Sequence, residues 1–207
     1  KAVVDFAGVA RKVIRKIGYE HMDFNEKTCS ILTSLKELPS DNYYDFSEED
    51  LTDEEIDTIL VRNQETVFGF ACNQTSALMP LPIWLAHNIA KKITAVRCDK
   101  TLPYLAPDGK TQVSIEYRDR KPYRIHSITI TTSQIEQSAV DLNRLNVDIR
   151  AAVIEPLFQG EAIRPDKNTN IFVNPVGIVM VGGPSVHSGL TGRKNAMDTY
   201  GEYSRFG

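Results

Sequence analysis

The strongest constraint on the fold is a pair of stretches, 111–117 and 124–131, in which polar and apolar residues alternate. They are separated by the short polar sequence 118–122, which contains Pro122. Alternation with a period of two turns one face of each stretch toward a core, and two such stretches joined by a short turn form a hairpin. Hairpins interleaved with helices are typical of an α+β fold rather than of a parallel, doubly wound sheet. The sequence therefore predicts the α+β class.

Apolar residues at helical spacing predict four helices, over 3–17, 51–60, 77–96 and 140–154. Gly18 is expected to end the first helix. Thr52 and Glu55 have the spacing of a capping box for the second helix. Pro80 and Pro82 fall in the first turn of the third helix, where proline is tolerated. Short apolar runs predict further strands over 29–35, 67–71, 170–173 and 178–181, the last two flanking a turn at 174–177.

The charge of the chain is unevenly distributed. The formal net charge of the 207 residues is −3, but nine acidic residues and no Lys or Arg lie between positions 41 and 57, so the rest of the chain carries +6. The overall balance gives no basic footprint for nucleic acid. The acidic stretch has no stable period and is expected to form a mobile surface loop.

The cysteines and the apolar runs indicate the redox setting of the chain and whether it spans a membrane. The three cysteines, Cys29, Cys72 and Cys98, show neither a disulfide framework nor zinc-ligand spacing. A reducing, cytoplasmic setting is therefore expected. No apolar run approaches the roughly 18 residues that a membrane span needs, so we expect no membrane as partner. The charge balance described above predicts no nucleic acid as partner.

The glycine-rich segment 182–194 has the composition of a polyphosphate site. It contains four glycines within eleven positions and ends in Arg193 and Lys194. Glycines let the backbone approach a ligand and point N–H groups at an anion, and adjacent cations meet phosphate oxygens. The order of residues is not that of a Walker A loop. The alternative is a flexible surface loop without a ligand.

Two other polar stretches are weaker candidates. In 107–112 a predicted turn brings Lys110 to the mouth of a strand, where a lysine can act as a point charge on a phosphate oxygen. An ordinary exposed turn is the alternative. In 62–75 polar groups flank a short aromatic strand, which fits a core strand as well as a site. Ser185 and His187 have no neighbouring acid, so no Ser/His/Asp arrangement is predicted.

These stretches together resemble the S-adenosylmethionine synthetase (methionine adenosyltransferase) family. The resemblance covers essentially the whole chain but only the middle of the family's length. The two most specific motifs are Asp-Gly-Lys-Thr-Gln-Val and Gly-Leu-Thr-Gly-Arg-Lys, in that order. The matching segments are Phe68-Gly69-Phe70-Ala71, Leu78-Met79-Pro80-Leu81-Pro82-Ile83, Asp108-Gly109-Lys110-Thr111-Gln112-Val113, Asn174-Pro175, Gly182-Gly183-Pro184, Gly189-Leu190-Thr191-Gly192-Arg193-Lys194 and Asp198-Thr199-Tyr200-Gly201.

The resemblance implies a fold of similar α/β-sandwich domains about a pseudo-threefold axis. Residues 1–60 would then end an N-terminal domain with a gating loop at about 38–57. Residues 61–176 would form the central domain, and 177–207 would begin the C-terminal domain. The chain would be the central portion of a longer subunit, with active sites at the interfaces of a homodimer or homotetramer.

The resemblance also implies the reaction. Methionine sulfur attacks C5′ of ATP, the triphosphate leaves, and it is then hydrolysed to pyrophosphate and phosphate. ATP and methionine would be the substrates, and Mg²⁺ and K⁺ the cofactors, with metal ligands outside this chain. The product would feed one-carbon metabolism in the cytoplasm.

Site residues follow from the same resemblance. Lys110, Arg193 and Lys194 would be catalytic. Methionine would be bound by His187, Asn63 and Gln64. ATP would be bound by Asp108, Gly109, Lys110, Ile178, Val179, His187, Arg193 and Lys194.

The chain also departs from the family pattern. The family's Gly-Asp-Gln-Gly reads Arg62-Asn63-Gln64-Glu65, its Gly-Asp before the Gly-Leu-Thr-Gly-Arg-Lys motif reads Val186-His187, and Val179 replaces an aromatic residue. The family's His-Pro-Asp-Lys motif is absent. Two alternatives stay open: a divergent enzyme, or a non-catalytic relative that binds nucleotide or pairs with an active subunit. The retained cations favour the enzyme.

Overall fold

The computed structural model describes residues 4–19, 24–36, 48–59, 64, 66–180 and 182–204. The helices in these ranges are α1 Phe6–Ile17, α2 Asp53–Asp57, α3 Leu81–Cys98, α4 Leu142–Ile149, α5 Glu155–Phe158 and α6 Asn195–Asp198. The strands are β1 Leu105–Arg118, β2 Lys121–Gln134 and β3 Asn170–Val173. A π-helical turn, Arg150–Ile154, joins α4 to α5. Turns of 3₁₀-helix lie at Glu48–Asp50, Glu136–Ser138, Gly183–Ser185 and Gly201–Tyr203.

The described strands form one mixed sheet in the order β1-β2-β3. β1 and β2 are antiparallel, whereas β3 runs parallel to β2. The hairpin turns through Asp119 and Arg120, which have positive φ of 49° and 63°. Positive φ at both central residues is the geometry that matches the twist of two paired strands. The predicted hairpin and the α+β class are confirmed, and the two strands run further than predicted.

The core lies where α3 and α4 pack on one face of the sheet. Leu85 and Ile89 of α3, Ile128 of β2, and Leu145 and Ile149 of α4 have no exposed surface. Burying each such side chain stabilises the fold by about 1.5–3 kcal/mol. Trp84 is partly buried against the same cluster. This core fixes the sheet that carries the candidate site.

α3 begins at Leu81, four residues later than predicted. Leu78 has φ +58°, outside the helical region, and Pro80 restricts Met79 before it. The N–H of Leu81 donates to Oε1 of Gln74 at 3.0 Å. That bond gives a partner to one of the open N–H groups at the start of the helix.

The predicted caps of the first two helices are confirmed. α1 ends at Gly18, which has φ +96°, and α2 has a complete capping box between Thr52 and Glu55. Of the predicted gating loop, residues 38–47 lie outside the described ranges, and 48–57 contain the 3₁₀ turn Glu48–Asp50 followed by α2. No helix in the described part of the chain is both long enough and apolar enough to cross a bilayer.

Three predicted strands are wrong. Residues 29–35 and 67–71 are described and form no strand, with Leu32 95% exposed and Val67 86% exposed. Residues 178–180 also form none, and 181 lies outside the described residues. A short apolar run cannot by itself be assigned to a strand, because a strand exists only where a neighbour supplies the hydrogen bonds of a ladder.

Candidate nucleotide site

Asp108, Gly109 and Lys110 lie within β1, so the predicted turn over 107–112 is wrong. β2 runs on to Gln134, and the pairing therefore passes through this stretch. The ladder is irregular between Leu105, which faces Gln134, and Gly109, which faces Thr132. Four positions along β1 are therefore matched by two along β2, and the regular pairing is interrupted beside Asp108. The carbonyl of Asp108 accepts a hydrogen bond from Oγ of Ser133 at 3.2 Å.

The side chain of Asp108 lies against Gly182, the first glycine of the 182–194 segment. A Cβ added at Gly182 would lie 2.9 Å from Cβ of Asp108, and the carboxylate would be closer still. Gly182 is buried, and only a residue without a side chain leaves this space to Asp108. The structure thus brings together two stretches that the sequence predicts as separate candidate sites.

The second glycine of the segment faces a tyrosine. Gly183 has φ +71°, and a Cβ added there would lie 2.6 Å from Cε1 and 2.9 Å from Oη of Tyr19. Burial raises the pKa of Tyr19, the nearby carboxylate of Asp108 raises it further, and Arg97 opposes both effects. The sequence pattern does not single out Tyr19. Its only local signal is its position directly after Gly18, the glycine that ends α1.

The distal half of the segment is exposed. Positions Gly189 and Gly192 have no atom within 4 Å of an added Cβ, and Arg193 and Lys194 face solvent, as does Lys110 on β1. Among the described residues no carboxylate forms an ion pair with these three cations. Nor does any hydrogen bond between described residues join Arg193 or Lys194 to β1. The segment reaches β1 through Gly182.

The residues expected to hold adenine and methionine are less closely gathered. The carbonyl of Val179 accepts from the N–H of Gln134 at 2.9 Å, next to the end of β2, and Ile178 is half-exposed. His187 is exposed, and its N–H donates to the carbonyl of Gly183 at 2.9 Å. Gln64 is exposed, and Asn63 lies outside the described residues.

A buried asparagine fixes the chain before Val179. Asn174 is 2% exposed, has φ +46°, and pairs through its amide with the N–H and carbonyl of Thr132, both at 2.9 Å. The side chain thereby continues the hydrogen bonding of the sheet beyond β3. The sequence predicts a turn at 174–177 but gives no sign of this pairing.

An aromatic cluster holds the chain that follows Lys194. Tyr203 stacks on Tyr117 of β1 with ring centroids 5.1 Å apart, and Phe70 contacts both Tyr200 and Tyr203 at about 6 Å. The hydroxyl of Tyr117 donates to Oε1 of Gln74 at 2.9 Å. Burial, followed by the neighbouring Tyr203, raises the pKa of Tyr117 to about 12. The segment 182–194 is therefore anchored at both ends.

No described group of three or more His, Cys, Asp or Glu side chains could hold a metal ion. Mg²⁺ is usually held by one or two carboxylates together with water and substrate phosphates, so Asp108 alone does not make a site.

Comparison with known proteins identifies the family. Residues 57–179 match the S-adenosylmethionine synthetase central domain, and residues 181–207 match the S-adenosylmethionine synthetase C-terminal domain. The boundaries predicted from sequence stay predictions.

Curated relatives cover the whole chain. It is 44% identical over 220 residues to the S-adenosylmethionine synthase of Gloeothece citriformis, covering 100% of this chain and 53% of that protein. The synthase of Rippkaea orientalis is 44% identical over 221 residues, covering 100% and 52%, and that of Trichodesmium erythraeum is 42% identical over 220 residues, with the same coverage. The chain thus spans about half the length of these curated relatives. Because the central-domain match alone takes in more than half of its residues, the chain belongs to the S-adenosylmethionine synthetase family.

Proposed function

We propose that this chain is part of an enzyme that makes S-adenosylmethionine from ATP and L-methionine. The sulfur–C5′ bond forms as the bond between C5′ and the triphosphate oxygen breaks, and the triphosphate is then hydrolysed to pyrophosphate and phosphate. The observation that carries the proposal is the packing of Asp108 on Gly182. It joins the strand that bears Lys110 to the loop that bears Arg193 and Lys194.

The cations supply what the departing triphosphate needs. Negative charge builds on the oxygen that leaves C5′, and groups that meet this charge stabilise the transition state more than the bound substrate. The guanidinium of Arg193 can hold two phosphate oxygens at once, while Lys110 and Lys194 act as point charges. Their exposure, with no described carboxylate paired to them, leaves them available for phosphate oxygens.

The rest of the site is assigned by position in the family motifs. Asp108 and Gly109 would bind ATP beside Lys110. Ile178 and Val179 would lie at the adenine, and Asn63 and Gln64 at the methionine. His187 would contact both ATP and methionine. Mg²⁺ and K⁺ would be held by residues outside this chain, and a homodimer or homotetramer would complete the site. The acidic stretch at about 38–57 would close over the substrates as a lid.

A second candidate is a non-catalytic relative that binds nucleotide or pairs with an active subunit. It is favoured by Asn63 and His187, which stand where the family motifs have aspartates. Loss of a carboxylate removes a partner for the ammonium group of methionine. The cations for the triphosphate would remain.

Product formation separates the two candidates. The full-length protein is incubated with ATP, methionine, Mg²⁺ and K⁺, and S-adenosylmethionine, pyrophosphate and phosphate are measured. We expect all three products. Lys110→Gln or Arg193→Gln should lower kcat about 10²–10³-fold, the cost of losing one preorganised donor to developing charge. Lys121→Gln is the matched control, because Lys121 is an exposed lysine at the hairpin end of the sheet.

The remaining outcomes are equally decisive. Nucleotide binding without any product, at high protein concentration, would identify the non-catalytic relative. Absence of product, of nucleotide binding and of pairing with an active S-adenosylmethionine synthetase subunit would contradict both candidates.

A further inference from the structure

Tyr19 lies where three parts of the chain meet. It follows Gly18 at the end of α1, its ring packs on Gly183, and its hydroxyl group is influenced by Asp108 of β1 and Arg97 of α3. A Cβ at Gly18 would lie 3.0 Å from Nη1 of Arg97, so α3 also approaches the residue before Tyr19. The tyrosine therefore connects the N-terminal segment to the candidate nucleotide site.

Two side chains occupy the space beside the adjacent glycines Gly182 and Gly183. The space beside Gly182 is taken by Asp108, and the space beside Gly183 is taken by Tyr19. Consecutive loop residues are thus covered by one acidic and one aromatic side chain. If Tyr19 moved, Gly183 would lose the surface that it packs against, and Asp108 would lose a neighbour.

Tyr19 is itself held by the segment that follows it. Its ring meets the ring of Phe24 edge to face, with centroids 5.6 Å apart. Arg15 of α1 forms an ion pair with Glu26 at 3.2 Å. Arg11 donates to the carbonyl of Glu26 and, at 3.1 Å, to the carbonyl of Cys29. These contacts tie the segment around Tyr19 back onto α1, so the ring has a defined place.

We propose that Tyr19 is a positioning residue for the nucleotide half of the site, acting through Gly183 and Asp108. The inference rests on the proposed function, since it takes Asp108 to contact ATP. Tyr19 touches neither substrate in this assignment. Its ring fixes the start of the loop that carries Arg193 and Lys194, and the substrate whose binding depends on it is the nucleoside triphosphate rather than the amino acid.

The test compares the KM for ATP with the KM for methionine in variants of Tyr19. In the full-length protein, Tyr19→Leu removes the ring, and Tyr19→Phe keeps it. We expect Tyr19→Leu to raise the KM for ATP by about 10–100-fold, the scale on which a small misplacement of binding groups acts. The KM for methionine should rise several-fold less than the KM for ATP, because the start of the loop reaches the proposed methionine residues through one described hydrogen bond, from the N–H of His187 to the carbonyl of Gly183. Tyr19→Phe should restore most of the ATP affinity.

Tyr123→Leu provides a matched control. Tyr123 is an exposed tyrosine on β2 whose ring stacks under Arg118, away from Gly183. Its loss should leave both KM values unchanged. An equal rise of both KM values in Tyr19→Leu, a fall in kcat alone, or no change at all would overturn the positioning role.

A binding measurement keeps this inference distinct from the proposed function. The dissociation constant of a non-hydrolysable ATP analogue is measured for the same variants, with hydrogen exchange of the 182–190 amides as a structural readout. If the protein makes no S-adenosylmethionine but Tyr19→Leu weakens analogue binding, the proposed function fails and the positioning role stands. If product forms and neither analogue binding nor exchange depends on Tyr19, the positioning role fails alone.

Discussion

The two halves of the glycine-rich segment have opposite surroundings. Gly182 and Gly183 are buried, and each faces a side chain of this chain, Asp108 or Tyr19. Gly189 and Gly192 are exposed and have open space where a side chain would be. The first half is fixed by internal packing. The second half is uncovered and ends beside the exposed cations Arg193 and Lys194.

The contrast shows that one residue type serves different purposes within a dozen positions. The sequence pattern assigns all the glycines to close approach of a ligand. In the structure, internal packing accounts for Gly182 and Gly183, and only the distal glycines have open space beside them. Backbone conformation divides them differently, because Gly183 and Gly192 have positive φ of 71° and 77°, whereas Gly182 has φ −153°, which any residue adopts.

Gly183→Ala should have the largest effect on stability, because it combines two costs. A residue with a Cβ at positive φ costs about 1–2 kcal/mol, and crowding Tyr19 adds about 1–3 kcal/mol. Chemical denaturation of the full-length protein measures the change in free energy of unfolding. Gly189→Ala is the matched control and should stay within about 0.5 kcal/mol. Equal losses of stability at the two positions would contradict the difference in packing between the two halves of the segment.

Gly182→Ala should cost about 1–3 kcal/mol, from crowding alone. The cost should depend on Asp108, whose Cβ would lie 2.9 Å from the new methyl group. A double-mutant cycle with Asp108→Gly isolates that dependence. We expect the alanine at 182 to be tolerated far better when residue 108 has no side chain. A strictly additive cycle would show that Asp108 is not what requires the glycine.

Gly192→Ala should cost about 1–2 kcal/mol, because only backbone strain applies where no neighbour is crowded. The value should fall between those of Gly183→Ala and Gly189→Ala in the same denaturation series. A cost as large as that at Gly183 would mean that the distal half is packed against something in the full-length protein.

Local signals predict the parts of the fold that depend on nearby residues. Gly18 ends α1, and Thr52 with Glu55 caps α2, because a cap is made by residues within one turn. The hairpin also follows from its own alternation and turn. The start of α3 is misplaced by four residues, since the positive φ of Leu78 has no signature in a leucine.

The contacts that form the candidate site could not be predicted in this way. Tyr19, Asp108 and Gly182 come from three distant parts of the sequence, and no spacing rule relates them. The strand predicted over 67–71 fails for the same kind of reason, because the neighbouring strand that would pair with it is not there among the described residues. The family motifs point to Asp108 and Gly182 without indicating that they touch.

The smallest effect is expected where the exposed half is anchored, at Tyr117. Its pKa of about 12 lies above the usual value near 10, because burial favours the neutral phenol. The neutral phenol's contribution to stability is therefore complete below about pH 10 and is lost as the pH rises from about 10 to about 12.

Tyr117→Phe removes this titration. It also removes the hydrogen bond to Gln74, at a cost of about 0.5–1.5 kcal/mol at neutral pH. Denaturation curves between pH 7 and 12 measure both effects. If the variant lost stability between pH 10 and 12 as steeply as the unsubstituted protein, the raised pKa would not belong to Tyr117, and the stack with Tyr203 would hold the loop without any coupling to pH.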